Sequence, residues 1–256
     1  MDTTEISNLS LTFLIVFVII PVSLSYWFSL GLSKSIVWSS FRGVVQLFLI
    51  GYVLTFLFSI PDWQGIALWV TVMVLVATIN ASKRGGNIPK VRMVVFLIIA
   101  IIEVSVLALW LGFGYITFTA DKVIPISGMV IGNSMIAIGL ALERLQSQFK
   151  EERGRILAAL SLGATPKQSS LMIVRKSLKA AMIPNIDGLK TIGLVQLPGM
   201  MTGLILGGVS PLDAVKYQIV ISLSIFVSVA ICAMLVTMVL YKTFFNDKMQ
   251  LKVIDK

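Results

Sequence analysis

Long apolar runs separated by short polar segments recur along the whole of this 256-residue chain. A helix needs about 20 mostly apolar residues to cross a bilayer. Runs that approach this length cover residues 10–30, 36–59, 64–80, 91–111, 123–142, 188–208 and 214–241, to within a few positions. The pattern therefore predicts an all-α integral membrane protein in which about seven transmembrane helices form a single domain over residues 1–256.

The charge distribution predicts how these helices are oriented. If the N-terminus is outside, the inside segments 31–42, 81–92, 143–190 and 242–256 hold 19 of the 21 lysines and arginines. Because cytoplasmic loops are enriched in these residues, we expect the N-terminus outside and the C-terminus in the cytoplasm. The net charge of +9 is then explained by membrane topology and contact with lipid head groups, and not by binding to nucleic acid.

Composition excludes the soluble class. The chain is 57% hydrophobic and only 13% charged, with a mean hydropathy of +0.95, whereas a soluble domain is about a quarter charged. It has no histidine and one cysteine, Cys232. The commonest transition-metal ligand and general base is therefore missing, and the sequence leaves any metal site unknown.

One long segment between the predicted spans, about residues 143–187, is amphipathic instead of lipid-spanning. Gly163 is suited to end a first helix. Thr165 is suited to cap a second helix, with Pro166 at its first position and Gln168 completing a capping box. The pattern predicts a cytoplasmic helical hairpin between spans five and six. Its second helix is expected to end at Pro184 and to have an apolar face made of Leu171, Val174, Leu178 and Ala181.

The predicted sixth span contains the stretch GLVQLPGMMTGLILGG, residues 193–208, which is unusual for a membrane helix. Pro198 lacks a backbone N–H and Gly199 adds backbone freedom, so this pair is a candidate hinge, with a fixed kink as the alternative. Met200 and Met201 are flexible groups that could line a translocation pathway, although core packing is the favoured explanation. Small residues that allow close helix packing recur every four positions; they are Gly128 and Gly132 in span five, and Gly199, Gly203 and Gly207 in span six.

Polar residues inside the predicted spans are the remaining candidates for a translocation pathway. Glu103 lies midway along span four, where a carboxylate is costly and must face a cavity, have a partner or be protonated. Gln46, Asn133 and Gln196 also need hydrogen-bond partners at their predicted depths, either across helices or from a substrate. Arg42 shares a helical face with Gln46 and could instead extend to the inner membrane surface.

Several stretches resemble known transporter sequences. AALSLGA is similar to the A-A-x-x-x-G core of the cytoplasmic loop of ABC transporter permeases, in which Ala158, Ala159 and Gly163 match and Leu157 stands where that loop usually has glutamate. The chain as a whole resembles the FetB family of membrane proteins, permeases of a bacterial iron exporter. The stretches that carry this resemblance are FRGVVQLFLIGYVL at 41–54, SKRGGNIPK at 82–90, VIPISGMVIGNSMIAIGL at 123–140, LSLGATPKQSS at 160–170 and GLVQLPGMMTGLILGGVSPLDAVKYQIVI at 193–221.

The resemblance implies a permease subunit in the cell (inner) membrane that pairs with a separate cytoplasmic ABC ATPase. Two permease copies and two ATPases would form the complex. The chain would bind no cofactor itself, and ATP and Mg would belong to the ATPase. This agrees with the sequence, which contains no G-x-x-x-x-G-K-[ST] phosphate-binding loop. The residues expected to dock the ATPase are Leu162, Gly163, Ala164, Thr165, Pro166 and Lys167.

Other functions remain open at this point. An ABC importer permease shares the same loop pattern, and the plant relatives of the family suggest an organic substrate such as a sugar nucleotide. A stand-alone channel or membrane scaffold, with the hairpin lying on lipid, is an alternative of another class. An intramembrane enzyme is not favoured, because no nucleophile–base pair or metal cluster can be assembled from the predicted spans.

Overall fold

The computed structural model describes residues 15–57, 59, 61–86 and 88–252. Nine α-helices and one 3₁₀ helix cover most of these ranges, and the β-structure in them is limited to two isolated bridges. The helices are α1 Ile15–Trp27, α2 Ser33–Leu57, α3 Asp62–Lys83, α4 Val91–Gly112, α5 Ala120–Glu151, α6 Arg153–Ser161, α7 Pro166–Thr191, α8 Gly199–Leu206, α9 Pro211–Leu240 and the 3₁₀ helix Tyr241–Phe244. The predicted all-α fold is confirmed for the described residues.

Five of these helices, α2, α3, α4, α5 and α9, are long and apolar enough to cross a membrane. Helix α1 is a shorter apolar helix of 13 residues that continues through Pro21. The predicted first span begins near residue 10, and its first residues lie outside the described ranges. The count of seven spans and their orientation therefore stay predictions.

The predicted sixth span, 188–208, is wrong as a single helix. Helix α7 ends at Thr191, residues 192–198 are irregular, and α8 begins at Gly199 and is only eight residues long. Two backbone features separate the helices: Gly193 has a φ of +80°, and Pro198 cannot donate a helix hydrogen bond. Pro198 is the N-cap of α8 and not a kink within a helix.

The chain forms two compact units, residues 1–60 and 61–256. In the first unit α1 packs against α2. Ser25, near the end of α1, accepts hydrogen bonds from the Leu32 amide and the Ser33 hydroxyl, both at 3.2 Å. These bonds hold the turn between the two helices, and most other side chains of this unit are exposed apolar groups.

Helix α5 is the centre of the second unit, where it packs against α3, α4, α7 and α9. Its 32 residues bury one long, mostly apolar face that includes Val123, Val130, Ala137 and Leu145. Beyond the C-terminal end of α9, Phe244 stacks on Phe149 with ring centroids 4.1 Å apart. This aromatic contact joins the C-terminal ends of α5 and α9 next to the start of the hairpin.

Candidate functional site

The hairpin of α6 and α7 has the geometry that the sequence predicts for its turn. Gly163 has a φ of +87°. Its amide donates to the Leu160 carbonyl at 3.0 Å, and the Ala164 amide donates to the Ala159 carbonyl at 3.0 Å. This pair of bonds is a Schellman motif, which satisfies carbonyl groups at the end of a helix. The turn therefore has one defined shape that is fixed by its own backbone.

The start of α7 is fixed in the same way. The Gln168 amide donates to Thr165 Oγ1 at 3.3 Å, and the Thr165 amide donates to Gln168 Oε1 at 2.9 Å. Pro166 occupies the first helical position. The predicted capping box is confirmed. Between these caps the side chain of Leu162 is 89% exposed, so the hairpin presents an apolar group at its tip.

An ion pair joins the two helices of the hairpin at its base. Lys176 Nζ lies 2.8 Å from Glu152 Oε1. The hydrogen bond and the positive charge from Lys176 lower the pKa of the Glu152 carboxyl below its ordinary value. Nearby, Arg155 Nη1 lies 2.9 Å from Met172 Sδ. These contacts join α6 and α7 at the base of the hairpin.

On the face that α7 buries, Ala181 is buried as expected, and the other three positions are shifted by one residue from the expected ones. The buried side chains are Ser170, Ile173, Ser177 and Ala181, whereas Leu171 is exposed and Val174 and Leu178 are half-buried. Pro184 does not end the helix, which continues to Thr191. The packing of α7 against α5 and α9 explains both differences. Small side chains such as Ser170 and Ser177 fit at these helix contacts. The same contacts offset the one backbone hydrogen bond that Pro184 removes.

The structure does not gather the predicted pathway residues into one site. Glu103 is buried on α4, with 1% of its surface exposed. Asn133 is half-buried on α5, and its Nδ2 donates to Met129 O of its own helix at 2.8 Å. Gln46 is exposed on α2 in the first unit, as is Gln196 in the irregular segment before α8. Their roles, and those of the half-buried Met200 and Met201, stay predictions.

The glycines predicted to allow close helix packing differ in their surroundings. A Cβ on Gly128 would lie 3.5 Å from Met73 Cε, so α5 approaches α3 at this point. A Cβ on Gly132, Gly199 or Gly203 would have no neighbour within 4 Å in the described part of the chain, and one on Gly207 would meet only carbonyl oxygens of α8. Close packing of the α8 glycines, and a hinge at Pro198 and Gly199, therefore stay predictions.

Two features of the second unit were not predicted. A cavity of about 320 Å³ lies between the C-terminal end of α4 and the N-terminal half of α9, lined by Trp110, Gly114, Tyr115, Ile116, Ile126, Lys216, Tyr217, Val220 and Ile221. Ser127 and Ser134 are buried on α5, and their hydroxyl oxygens have no hydrogen-bond partner in the described part of the chain. The seven-residue spacing of these two serines, which puts them on one helical face, was the signal in the sequence.

Comparison with known proteins gives the family. The family model described as "Uncharacterised protein family (UPF0014)" matches residues 8–245. The chain is 38% identical to the "Probable iron export permease protein FetB" of Escherichia coli strain K12, over 99% of this chain and 98% of that protein. It is 41% identical to the "UPF0014 membrane protein YjkA" of Bacillus subtilis strain 168, over 95% of this chain and 98% of that protein.

A plant relative is the "UPF0014 membrane protein STAR2" of Oryza sativa subsp. japonica, which is 36% identical over 91% of this chain and 82% of that protein. No solved structure matches the chain. The named membrane relatives and the five long apolar helices establish a multi-pass membrane protein. The chain belongs to the UPF0014 family of membrane proteins.

Proposed function

We propose that this chain is the membrane-spanning permease subunit of an ABC transporter that exports iron or a related metal species. A separate subunit hydrolyses the ATP. Membership of the UPF0014 family and the name of the Escherichia coli relative support the export of iron. The absence of a phosphate-binding loop motif from the sequence supports a division of labour between two chains.

The hairpin is the observation that carries this proposal. An ATPase that drives a permease must transmit motion through a small element that does not deform. The Schellman turn, the capping box and the Glu152–Lys176 ion pair make α6 and α7 such an element. Leu162 then docks in the ATPase together with the rest of the segment 162–167, and the hairpin lies on the cytoplasmic side, as the charge distribution predicts.

The assembly we propose contains two permeases and two ATPases. Segment 192–206, with α8, fits an interface between the two permease copies. Non-helical backbone within a bilayer must be covered by protein or line a cavity. Leu194 and Val195 are nevertheless highly exposed in the single chain.

A second candidate substrate class is an organic anion, such as a sugar nucleotide or a metal chelate. The observation that favours it is the 320 Å³ cavity, whose lining combines Trp110, Tyr115 and Tyr217 with the cationic Lys216. Trp110 Nε1 donates to Ser224 Oγ at 2.9 Å, which fixes the indole ring in the cavity wall. Aromatic side chains can stack on a planar ring, and the one positive charge attracts an anionic group.

Transport by purified components tests the proposal. The permease and its ATPase are reconstituted in vesicles, and the movement of Fe²⁺, other divalent metals, metal chelates and sugar nucleotides is measured with ATP on the ATPase side. We expect movement of iron away from the ATPase side that requires both subunits and ATP hydrolysis. Movement towards the ATPase side would establish an importer, and passage of ions without any ATPase would establish a channel.

A further inference from the structure

The interior of the second unit contains polar groups with no partner. Both carboxylate oxygens of Glu103 and the hydroxyl oxygens of Ser127 and Ser134 are buried without a hydrogen bond among the described residues. None of the three side chains is more than 1% exposed. A buried neutral polar group without a partner destabilises the fold, and a buried charge does so more strongly. A carboxylate and two hydroxyl groups left in this way are candidates for binding a ligand.

These groups lie next to the chain's one cysteine. Helix α5, which carries Ser127 and Ser134 two turns apart on one face, packs against α4, which carries Glu103, and against α9, which carries Cys232. Cys232 is completely buried. One carboxylate, one thiol and two hydroxyl groups from three helices therefore occupy the same part of the interior.

The register of α4 and α9 explains why these residues meet. The Trp110–Ser224 hydrogen bond joins the two helices, and the cavity lining pairs residues 114–116 with 216–220, so the helices run in opposite directions. Glu103 precedes Trp110 by seven residues and Cys232 follows Ser224 by eight. At 1.5 Å per residue these steps are about 10 and 12 Å along the two helices. Glu103 and Cys232 therefore lie at the same depth, midway along α4.

We propose that Glu103, Cys232 and Ser134 form a binding site for one divalent transition-metal cation, in which Ser127 positions the Glu103 carboxylate. The proposal rests on the proposed transport function and deepens it, because it places the metal substrate within a single permease copy. It also differs from a conventional metal cluster. The described ranges contain no group of three or more histidine, cysteine, aspartate or glutamate residues that could hold a metal.

Charge selects the class of ion. The Cys232 thiol loses its proton to solvent when it binds a metal, so the site supplies one carboxylate and one thiolate, with a total charge of −2. A divalent cation brings this sum to zero, whereas a monovalent or trivalent cation leaves a net charge in an apolar interior. The ligand atoms select further. Oxygen and sulfur together suit Fe²⁺, Co²⁺ or Zn²⁺, while Mg²⁺ and Ca²⁺ prefer oxygen alone.

Co²⁺ titration of the purified full-length permease tests the site. A thiolate bound to Co²⁺ gives a sulfur-to-metal charge-transfer absorption in the near ultraviolet, and in this chain the band can only come from Cys232. We expect one Co²⁺ per chain, with the band. Cys232→Ser should abolish the band, and Glu103→Gln should weaken Co²⁺ binding at least tenfold. Ser134→Ala should weaken binding to a smaller extent.

Ser105→Ala is the matched control. Ser105 is on the same helix as Glu103, is exposed, and donates to Ile101 O of its own helix at 2.7 Å. Its loss should leave the Co²⁺ affinity and the band unchanged. A second measurement needs no variant: Zn²⁺ added to the Co²⁺-loaded wild-type protein should displace Co²⁺ and remove the band. This result would support the site even if Glu103→Gln failed to fold.

Three outcomes would overturn the proposed site: no charge-transfer band in the wild-type protein, no displacement of Co²⁺ by Zn²⁺, or a normal band and affinity in Glu103→Gln. Vesicle transport separates this failure from failure of the proposed function. Iron export by a protein without the band would refute the site alone. A band in a protein that moves no metal with ATP would refute the transport function and leave a metal site.

Discussion

Replacing Leu162 with aspartate tests whether the hairpin tip binds a partner ATPase. The side chain is 89% exposed, so the fold of the isolated permease gains little from it. The hydrogen bonds of the turn are donated by the Gly163 and Ala164 backbones and do not use the Leu162 side chain. We therefore expect Leu162→Asp to change the free energy of unfolding of the permease by less than about 0.5 kcal/mol.

The effect on the complex should be much larger. Burying a leucine side chain in an interface contributes about 1.5–3 kcal/mol. Since about 1.4 kcal/mol corresponds to a tenfold change in affinity, its loss should weaken ATPase binding by about 10- to 150-fold. An aspartate at the centre of an interface adds the cost of removing water from its charge. The ATPase should consequently fail to co-purify with the variant.

The assay is a titration of the detergent-solubilised permease with its ATPase, together with ATP hydrolysis stimulated by substrate. Leu212→Asp is the matched control, because Leu212 is 76% exposed in the first turn of α9, which the charge distribution predicts to lie outside. It should bind the ATPase with wild-type affinity. Equal affinities for Leu162→Asp and the wild type would refute docking at the tip and favour a hairpin that lies on lipid.

Three further changes test topology, pH dependence and packing. In intact cells an impermeant thiol reagent should label Ser210→Cys and not Ser161→Cys, and the reverse result would invert the predicted orientation. Lys176 lowers the pKa of Glu152. Their ion pair therefore stabilises the hairpin fully at pH values above the ordinary glutamate pKa of about 4.3, and this stabilisation is lost as the pH falls through the lower, folded-state pKa. The protection factors of the α6 amides, which are corrected for the intrinsic exchange rate, should therefore fall on acidification in the wild type, whereas an equal fall in Glu152→Gln would contradict this. Phe149→Ala removes a buried stacked ring and should lower stability by about 3–5 kcal/mol, measured as a lower Tm; an unchanged Tm would refute the packing.

The turn between α6 and α7 could be predicted from the sequence because its interactions are local. The Schellman turn at Gly163 and the capping box of Thr165 and Gln168 join residues at most five positions apart. Backbone conformation and side-chain chemistry within such a short stretch are sufficient to specify the geometry. The apolar runs likewise predicted the long helices, because a helix that crosses lipid must satisfy its backbone hydrogen bonds within itself.

The grouping of Glu103, Ser127 and Cys232 depends on packing between distant parts of the chain. Only the tertiary structure decides which residues meet in this way. Glu103 was a candidate from its depth alone, but its neighbours Ser127 and Cys232 come from other helices, and Cys232 lies 129 positions away in the sequence. The sequence also misplaced the buried face of α7 by one residue and ended that helix at Pro184. Local propensity favours both errors. The packing of α7 against α5 and α9 favours small side chains at Ser177 and Ala181, and it continues the helix to Thr191, because the burial of a whole helix face outweighs one lost hydrogen bond.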